Sequence, residues 1–329
     1  MISQNGLDGW LGDAAAQAAT MKRAEEVGRA CRALPELVEL ERELEQASPH
    51  RAGEILAIAQ RFLTRPSWID DCLLLAVRGA NADFYFRPAL RNASPGLVSG
   101  LWLFDRPLLS LFLAVVPIDA LAAKKAGRSG AASITFTGQR SLYWFAKAGG
   151  ATLAFWDSSP IGPGFTAGGA ERCRLIERRR IKDGETIEID GRRHGFVIEH
   201  AESDIVFVQA ITPVGAAPLM VEYDAETLRF VGASSTDEAS SRTQLMLSLL
   251  RTMKRTDATP LFEQMLESPH FYARWQAMRE FLALDPDAAL PHLERMAEAD
   301  PHPEVRAAAG ETLRSFFADA EGENDSCPA

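Results

Sequence analysis

Two histidines, His194 and His200, stand in the middle of the chain, and no other occurs between His50 and His270. A mononuclear iron, manganese or zinc site built on strands needs two or three imidazoles and a carboxylate converging from different strands. His194, His200 and either Asp157 or Asp204 supply the smallest such set. Their spacing of six puts both imidazoles on one face of a continuous strand, with Glu199 on the other. A turn between them undoes that arrangement. The simpler expectation is that both are satisfied or exposed histidines. No cofactor is therefore expected, and iron or another divalent metal enters only under the alternative.

A second chemistry lies in the basic run Arg172, Arg174, Arg178, Arg179, Arg180, Lys182, Arg192 and Arg193, set in a chain with 35 Lys plus Arg against 45 Asp plus Glu and a net charge of −10. On a strand, the even spacing of Arg172, Arg174, Arg178 and Arg180 gives them one face, able to hold a phosphate, a carboxylate or an acidic peptide. The competing expectation is a solvated strand face paired with Glu171, Glu177 and Glu185. Trp144, Phe145, Phe155 and Trp156 either line a pocket mouth near Asp157 or belong to the core. The candidate ligand-binding set is thus Trp144, Trp156, Asp157, Arg174, Arg178 and Arg180, for a small anionic ligand.

Other chemistries lack their residues. The loop Ser158 to Ala170, with four glycines and two prolines, has no Gly-Lys-Ser or Gly-Lys-Thr ending and no dinucleotide-binding fingerprint. No Gly-x-Ser-x-Gly elbow occurs. Cys31, Cys72, Cys173 and Cys327 are scattered without CxxC spacing, which points to reduced thiols in a cytoplasmic protein. The N-terminus has no basic segment followed by an apolar run, and Pro107 to Ile118, the longest apolar stretch, is too short for a bilayer, so no membrane association is expected. The negative balance disfavours nucleic acid.

The elements that must position these residues follow from periodicity. Helix-period apolar positions from Leu7 to about Phe62, broken at Pro35 and Pro49, predict three helices, and Ser67 opens a fourth that ends near Gly79. After Gly79, about a dozen short strands recur, from Asp83–Phe86 to Leu228–Phe230, with one helix between Pro117 and Gly127. That pattern predicts a barrel or sandwich. Helical periodicity returns after Gly232–Ser241. Asp319 to Ala329 is expected to be a disordered acidic tail.

Within the last helical part, Pro260, Phe262, Glu263, Met265 and Glu267 repeat as Pro291, Leu293, Glu294, Met296 and Glu298 at an offset of 31. One inserted residue, Asp300, moves the offset to 32, at which Pro269, His270, Arg274, Ala277 and Phe281 repeat as Pro301, His302, Arg306, Ala309 and Leu313. Two helices per unit with Val305, Arg306, Ala309 and Leu313 on the second resemble HEAT repeats. About two and a half units, counting Ser240 to Lys254, fall short of the three usually needed for independence, so packing against other structure is expected. The resemblance implies a partner-binding surface, with the loops carrying His270 or His302 among its candidates.

The run from Ile181 to His194 resembles the second motif of the cupin family, through Gly184, Gly191 and His194. Ile189 stands where that motif has proline, the first spacing is one residue short, and the companion His-x-His pair is missing. The expected architecture is α+β, a cupin-like β-barrel or sandwich (80–235) flanked by an N-terminal helical segment (1–79) and a short HEAT-like module (236–318), followed by the tail (319–329). The expected function is a non-catalytic adaptor that binds a ligand or peptide in the barrel and a protein through the repeats. The alternative is a metal-dependent cupin-type oxygenase or hydroxylase using His194 and His200, its repeats recruiting a protein or peptide substrate. A regulator that holds DNA on the arginine strip ranks third.

Overall fold

A computed structural model describes residues 4–88, 90–94, 97–126, 133–162 and 164–322. The chain forms two compact units, one of Met1–Ser158, Cys173–Ala216 and Asp224–Leu228, the other of Ser159–Arg172, Ala217–Tyr223 and Arg229–Ala329. The N-terminal helices belong with most of the strands, and the last hairpin belongs with the repeats.

In the first unit, α1 (Gln4–Leu11), α2 (Ala14–Arg32), α3 (Pro35–Gln46), α4 (Ala52–Leu63) and α5 (Ser67–Ala82) precede the strands. That is one helix more than periodicity predicts. Asp13 splits the first segment, because its carboxylate accepts from the Ala15 and Ala16 N–H groups and starts a new helix. Leu37, Leu40 and Leu44 bury one stripe of α3, and Ile55, Leu56, Ala59 and Leu63 one stripe of α4. The expected strand Asp83–Phe86 is instead a turn after α5, where Asp83 accepts from the Thr20 hydroxyl (2.6 Å) and the Tyr85 N–H (2.9 Å).

The strands are β1 (Asn92–Ala93), β2 (Ser99–Arg106), β3 (Leu109–Val116), β4 (Ser133–Phe136), β5 (Arg140–Lys147), β6 (Thr152–Asp157), β7 (Arg174–Arg180), β8 (Thr186–Asp190), β9 (His194–His200) and β10 (Ile205–Thr212), with α6 (Ile118–Ala126) after β3. Gly127, the expected stop of that helix, lies outside the described residues. One sheet runs β1-β2-β3-β10-β5-β8 and the other β7-β6-β9, and β4 lies beside β9. The orders β3-β10-β5-β8 and β9-β6-β7, with β4 in contact with β9, match those of a jelly roll, the fold class that includes cupins. Two facing sheets form it, not one closed barrel.

Between the sheets, Phe112, Tyr143, Phe145 and Phe207 meet Leu153, Phe155, Phe196 and Ile198. The outer face of the larger sheet, through Leu109, Leu111, Leu142, Val208 and Ala210, packs against α3, α4 and α5. Burial on both faces explains why β3 and β10 read as near-continuous apolar runs. Each fully buried leucine, valine or phenylalanine stabilises by roughly 1.5–3 kcal/mol.

The second unit joins the hairpin β11 (Leu219–Asp224) and β12 (Phe230–Ser235) to α7 (Glu238–Thr252), α8 (Thr259–Met265), α9 (Phe271–Leu284), α10 (Pro286–Ala299) and α11 (Pro303–Gly322). The pairs α8–α9 and α10–α11 are the two repeats. Phe262, Ala277, Phe281, Leu293, Val305 and Ala309, six of the repeat positions or their neighbours, are buried together. Part of the expected tail is helical, since α11 runs to Gly322; residues 323–329 lie outside the described ones. Among the described residues, no helix is long and apolar enough to cross a membrane.

Candidate functional site

Asp157 closes β6, and strand pairing sets it opposite Arg174 of β7 and His194 of β9. Its carboxylate is buried and receives the Arg174 Nη2 at 2.6 Å and the Arg193 Nε at 2.6 Å, while His194 Nε2 lies 3.5 Å away. The Arg193 hydrogen bond, helped by Arg174, outweighs burial and holds the Asp157 carboxyl below the usual carboxylate range. A carboxylate held by two guanidiniums is a clamp between strands and a poor proton acceptor.

The shared arginine face expected from even spacing does not form. A bulge displaces the register of β7 between its pairings with Phe155 and Trp156. Arg174 therefore shares the inward face with Asp157, whereas Arg178 and Arg180 face outward. There Arg178 Nε grips Glu199 at 2.8 and 2.9 Å, and Arg180 Nη2 grips Glu202 at 2.7 and 2.8 Å. Arg179, opposite Leu153, packs over the Phe155 ring and pairs with Glu177 and Glu185. Arg174, Arg178, Arg179, Arg180, Arg192 and Arg193 of the basic run are paired with acids, on two faces.

His194 and His200 are also parted. The register of β9 shifts between Leu153 and Thr152, so His200 pairs with Thr152 on the outward face while His194 faces inward with Asp157. Six strand residues also hold them about 20 Å apart. They cannot share one metal ion, and among the described residues no three His, Cys, Asp or Glu side chains gather as such a site requires. The aromatic set does not converge either: Trp144 packs on the helix side of the larger sheet, Phe145 and Phe155 fill the interior, and Trp156 is outward on β6. Ring contacts of 4.9 Å between Tyr143 and Phe196 and 5.6 Å between Tyr143 and Phe207 occupy the space between the sheets.

An open site lies in the second unit. A cavity of about 600 Å³ is walled by Leu219 and Ala233–Ser235 of the hairpin, Ser241 and Gln244 of α7, Phe271, Tyr272, Trp275 and Gln276 of α9, and Glu304, Val305 and Ala308 of α11. The size suits a side chain or small ligand. Tyr272, Trp275 and Gln276 share one face of α9 by their i, i+3, i+4 spacing, while Ala273, Ala277 and Phe281 bury the other. Ser235 Oγ donates to Tyr272 Oη at 2.9 Å and steadies that ring, and Gln276 Nε2 donates to Glu280 at 3.0 Å. Sequence reasoning missed these residues. Their signal was present as three aromatic side chains in one turn of α9, of which Phe271 and Trp275 are only partly buried against the repeat core.

The candidate His302 is not available at this surface. It is buried, stacked on Phe271 at 3.8 Å, with Nε2 3.2 Å from the Phe165 carbonyl oxygen. His270 stacks on Tyr272 at 5.4 Å.

Among solved structures, the chain is similar to the EutQ protein of Clostridium difficile (13% identity over 36% of this chain and 68% of that one, TM-score 0.21) and to KdgF from Halomonas sp. (14%, 38% and 86%, TM-score 0.22). It is also similar to a cupin domain from Bordetella pertussis (11%, 38% and 95%, TM-score 0.21). No curated protein matches. The jelly roll rests on strand order, not on these likenesses. Residues 234–314 match the family model for HEAT repeats, and this part of the chain is a HEAT-repeat segment.

Proposed function

We propose that the protein is a non-catalytic adaptor that holds a segment of a partner protein in the cavity of its second unit. The observation that supports this most is the cavity itself, set among HEAT repeats and walled by three aromatic side chains on α9. The jelly roll serves as scaffold in this reading, since aromatic rings fill its interior and its arginines are paired to acids. The thiols of Cys31, Cys72 and Cys173 are buried and unpaired by disulfides, in keeping with a cytoplasmic protein.

Photo-crosslinking tests the reading. p-Benzoylphenylalanine at position 276 should capture a defined partner, the same residue at exposed position 279 should not, and Ala308→Phe, which fills the cavity, should abolish capture. Equal capture from both positions, or capture that survives Ala308→Phe, overturns it.

A further inference from the structure

We propose that the group received by this cavity is the cationic side chain of a partner segment, arginine above all, with Glu304 as its counter-ion. This deepens the adaptor reading and rests on it. Among the lining residues Glu304 is the single charged side chain, and neither Lys nor Arg is present. An anion would meet a carboxylate and no cation among these lining residues, so the cavity does not suit an anionic group.

What remains matches a guanidinium. Trp275 supplies an aromatic face, the kind that attracts cations most strongly through the ring quadrupole, and Phe271 and Tyr272 add the faces that His302 and His270 do not cover. A planar guanidinium also stacks on such a face, which an ammonium does not. Acceptors surround the rings. Gln276 spends its Nε2 on Glu280, which leaves its carbonyl oxygen as an acceptor, and Ser234, Ser235 and Ser241 bring hydroxyls. Glu304 is half-buried and preorganised: its Oε1 accepts the Ala167 N–H at 2.7 Å, with the Gly168 N–H at 3.5 Å, so the carboxylate is anchored by one oxygen.

The test uses the full chain labelled with 5-fluorotryptophan, the Trp275 resonance being assigned by Trp275→Phe. N-acetyl-arginine amide, N-acetyl-lysine amide, the neutral isostere N-acetyl-citrulline amide and N-acetyl-glutamate amide are titrated while fluorine spectra are recorded. The arginine probe should move the Trp275 resonance, with the citrulline probe about tenfold weaker and the glutamate probe without effect. Glu304→Gln keeps an oxygen for Ala167 and should weaken the arginine probe about tenfold; Ala308→Phe should abolish its effect. The other tryptophan resonances report that each variant is folded. Citrulline binding as well as arginine, undiminished binding to a folded Glu304→Gln or Ala308→Phe, or an unmoved Trp275 resonance overturns the assignment. If position 276 captures a partner while the arginine probe leaves Trp275 unmoved, the adaptor reading stands and the cationic class falls; if neither is seen, both fall.

Discussion

Arg274 of the first HEAT repeat and Asp300, the inserted residue that shifts the repeat offset, form a two-pronged ion pair, with Nε–Oδ2 at 2.8 Å and Nη2–Oδ1 at 2.6 Å. Both residues are buried. Asp300 also accepts the His302 N–H at 2.8 Å through Oδ1, and its carbonyl takes Arg306 Nη1. The insertion is therefore the polar joint between α9 and the α10–α11 turn. Arg274 is further held by the Ser268 carbonyl at 2.9 Å.

Removing one partner leaves the other charge buried without compensation, which typically costs about 3–5 kcal/mol. Asp300→Ala and Arg274→Ala should each destabilise the protein by about that much, and the double variant should cost less than the sum of the two. Urea denaturation followed by far-UV circular dichroism measures all three. Additive losses would show that the two side chains do not act as a pair.

The same carboxylate sets a pH dependence. Burial raises the Asp300 carboxyl, but the Arg274 hydrogen bond, the His302 N–H and the two neighbouring charges overcome it and leave it below its ordinary value. A depressed folded-state value stabilises above the unfolded value of about 3.9, and that contribution is lost as pH falls through the folded one. Stability should therefore drop below about pH 4. Asp300→Asn should show a shallower drop over that window, and an unchanged slope would remove Asp300 as its source.

The repeats were legible because their signal is local: a proline-marked turn, Ala277 and Ala309 at equivalent positions, and apolar residues at helix spacing. The inserted Asp300 was visible as a break in the offset, but its bond to Arg274 spans 26 residues and needs the folded pair to be seen. The strands were legible as elements, and most lie within a residue or two of where alternation put them. Faces were not. Bulges in β7 and β9 displace the register, so Arg174 parted from Arg178 and Arg180, and His194 from His200, although their spacings are even. A one-residue slip reverses every side chain beyond it. The unit boundaries were hidden for another reason: membership of β11 and β12 depends on tertiary contacts, which strand periodicity does not record.

Gly191, one of the three residues carrying the cupin resemblance, has a packing role in the turn between β8 and β9. A Cβ there would come 2.2 Å from Thr137 Oγ1 and 2.4 Å from the Gln139 carbonyl oxygen. The Gly138 N–H donates to the Gly191 carbonyl (2.9 Å) and the Gly191 N–H to the Gln139 carbonyl (2.9 Å), so the two turns are locked too closely to move apart freely. Gly191→Ala should destabilise by about 1–3 kcal/mol, the usual range for overpacking. By contrast Gly162, around which nothing lies within 4 Å, should accept alanine with little change in thermal midpoint. Equal effects at the two positions would contradict the close approach.

Asp157 allows its structural and chemical roles to be separated. It joins β6 to Arg174 on β7 and to Arg193 in the turn before β9, while the Ser158 N–H donates to the Arg193 carbonyl at 2.9 Å and fixes the backbone beside it. Asp157→Asn keeps the shape and one acceptor oxygen but surrenders the charge, so both guanidiniums lose the stronger part of their bonds. A loss of about 1–3 kcal/mol follows, the range for removing a charged partner from a buried hydrogen bond. Because both arginines remain solvent-exposed, the lower half of that range is expected. Arg174→Ala should cost less than Asp157→Asn, since Arg193 still satisfies the carboxylate. Partner capture from position 276 should persist in both variants, because Asp157 lies in the jelly roll and the proposed site in the other unit. Loss of capture from folded Asp157→Asn would make this corner part of the binding surface and overturn the division of labour proposed between the two units.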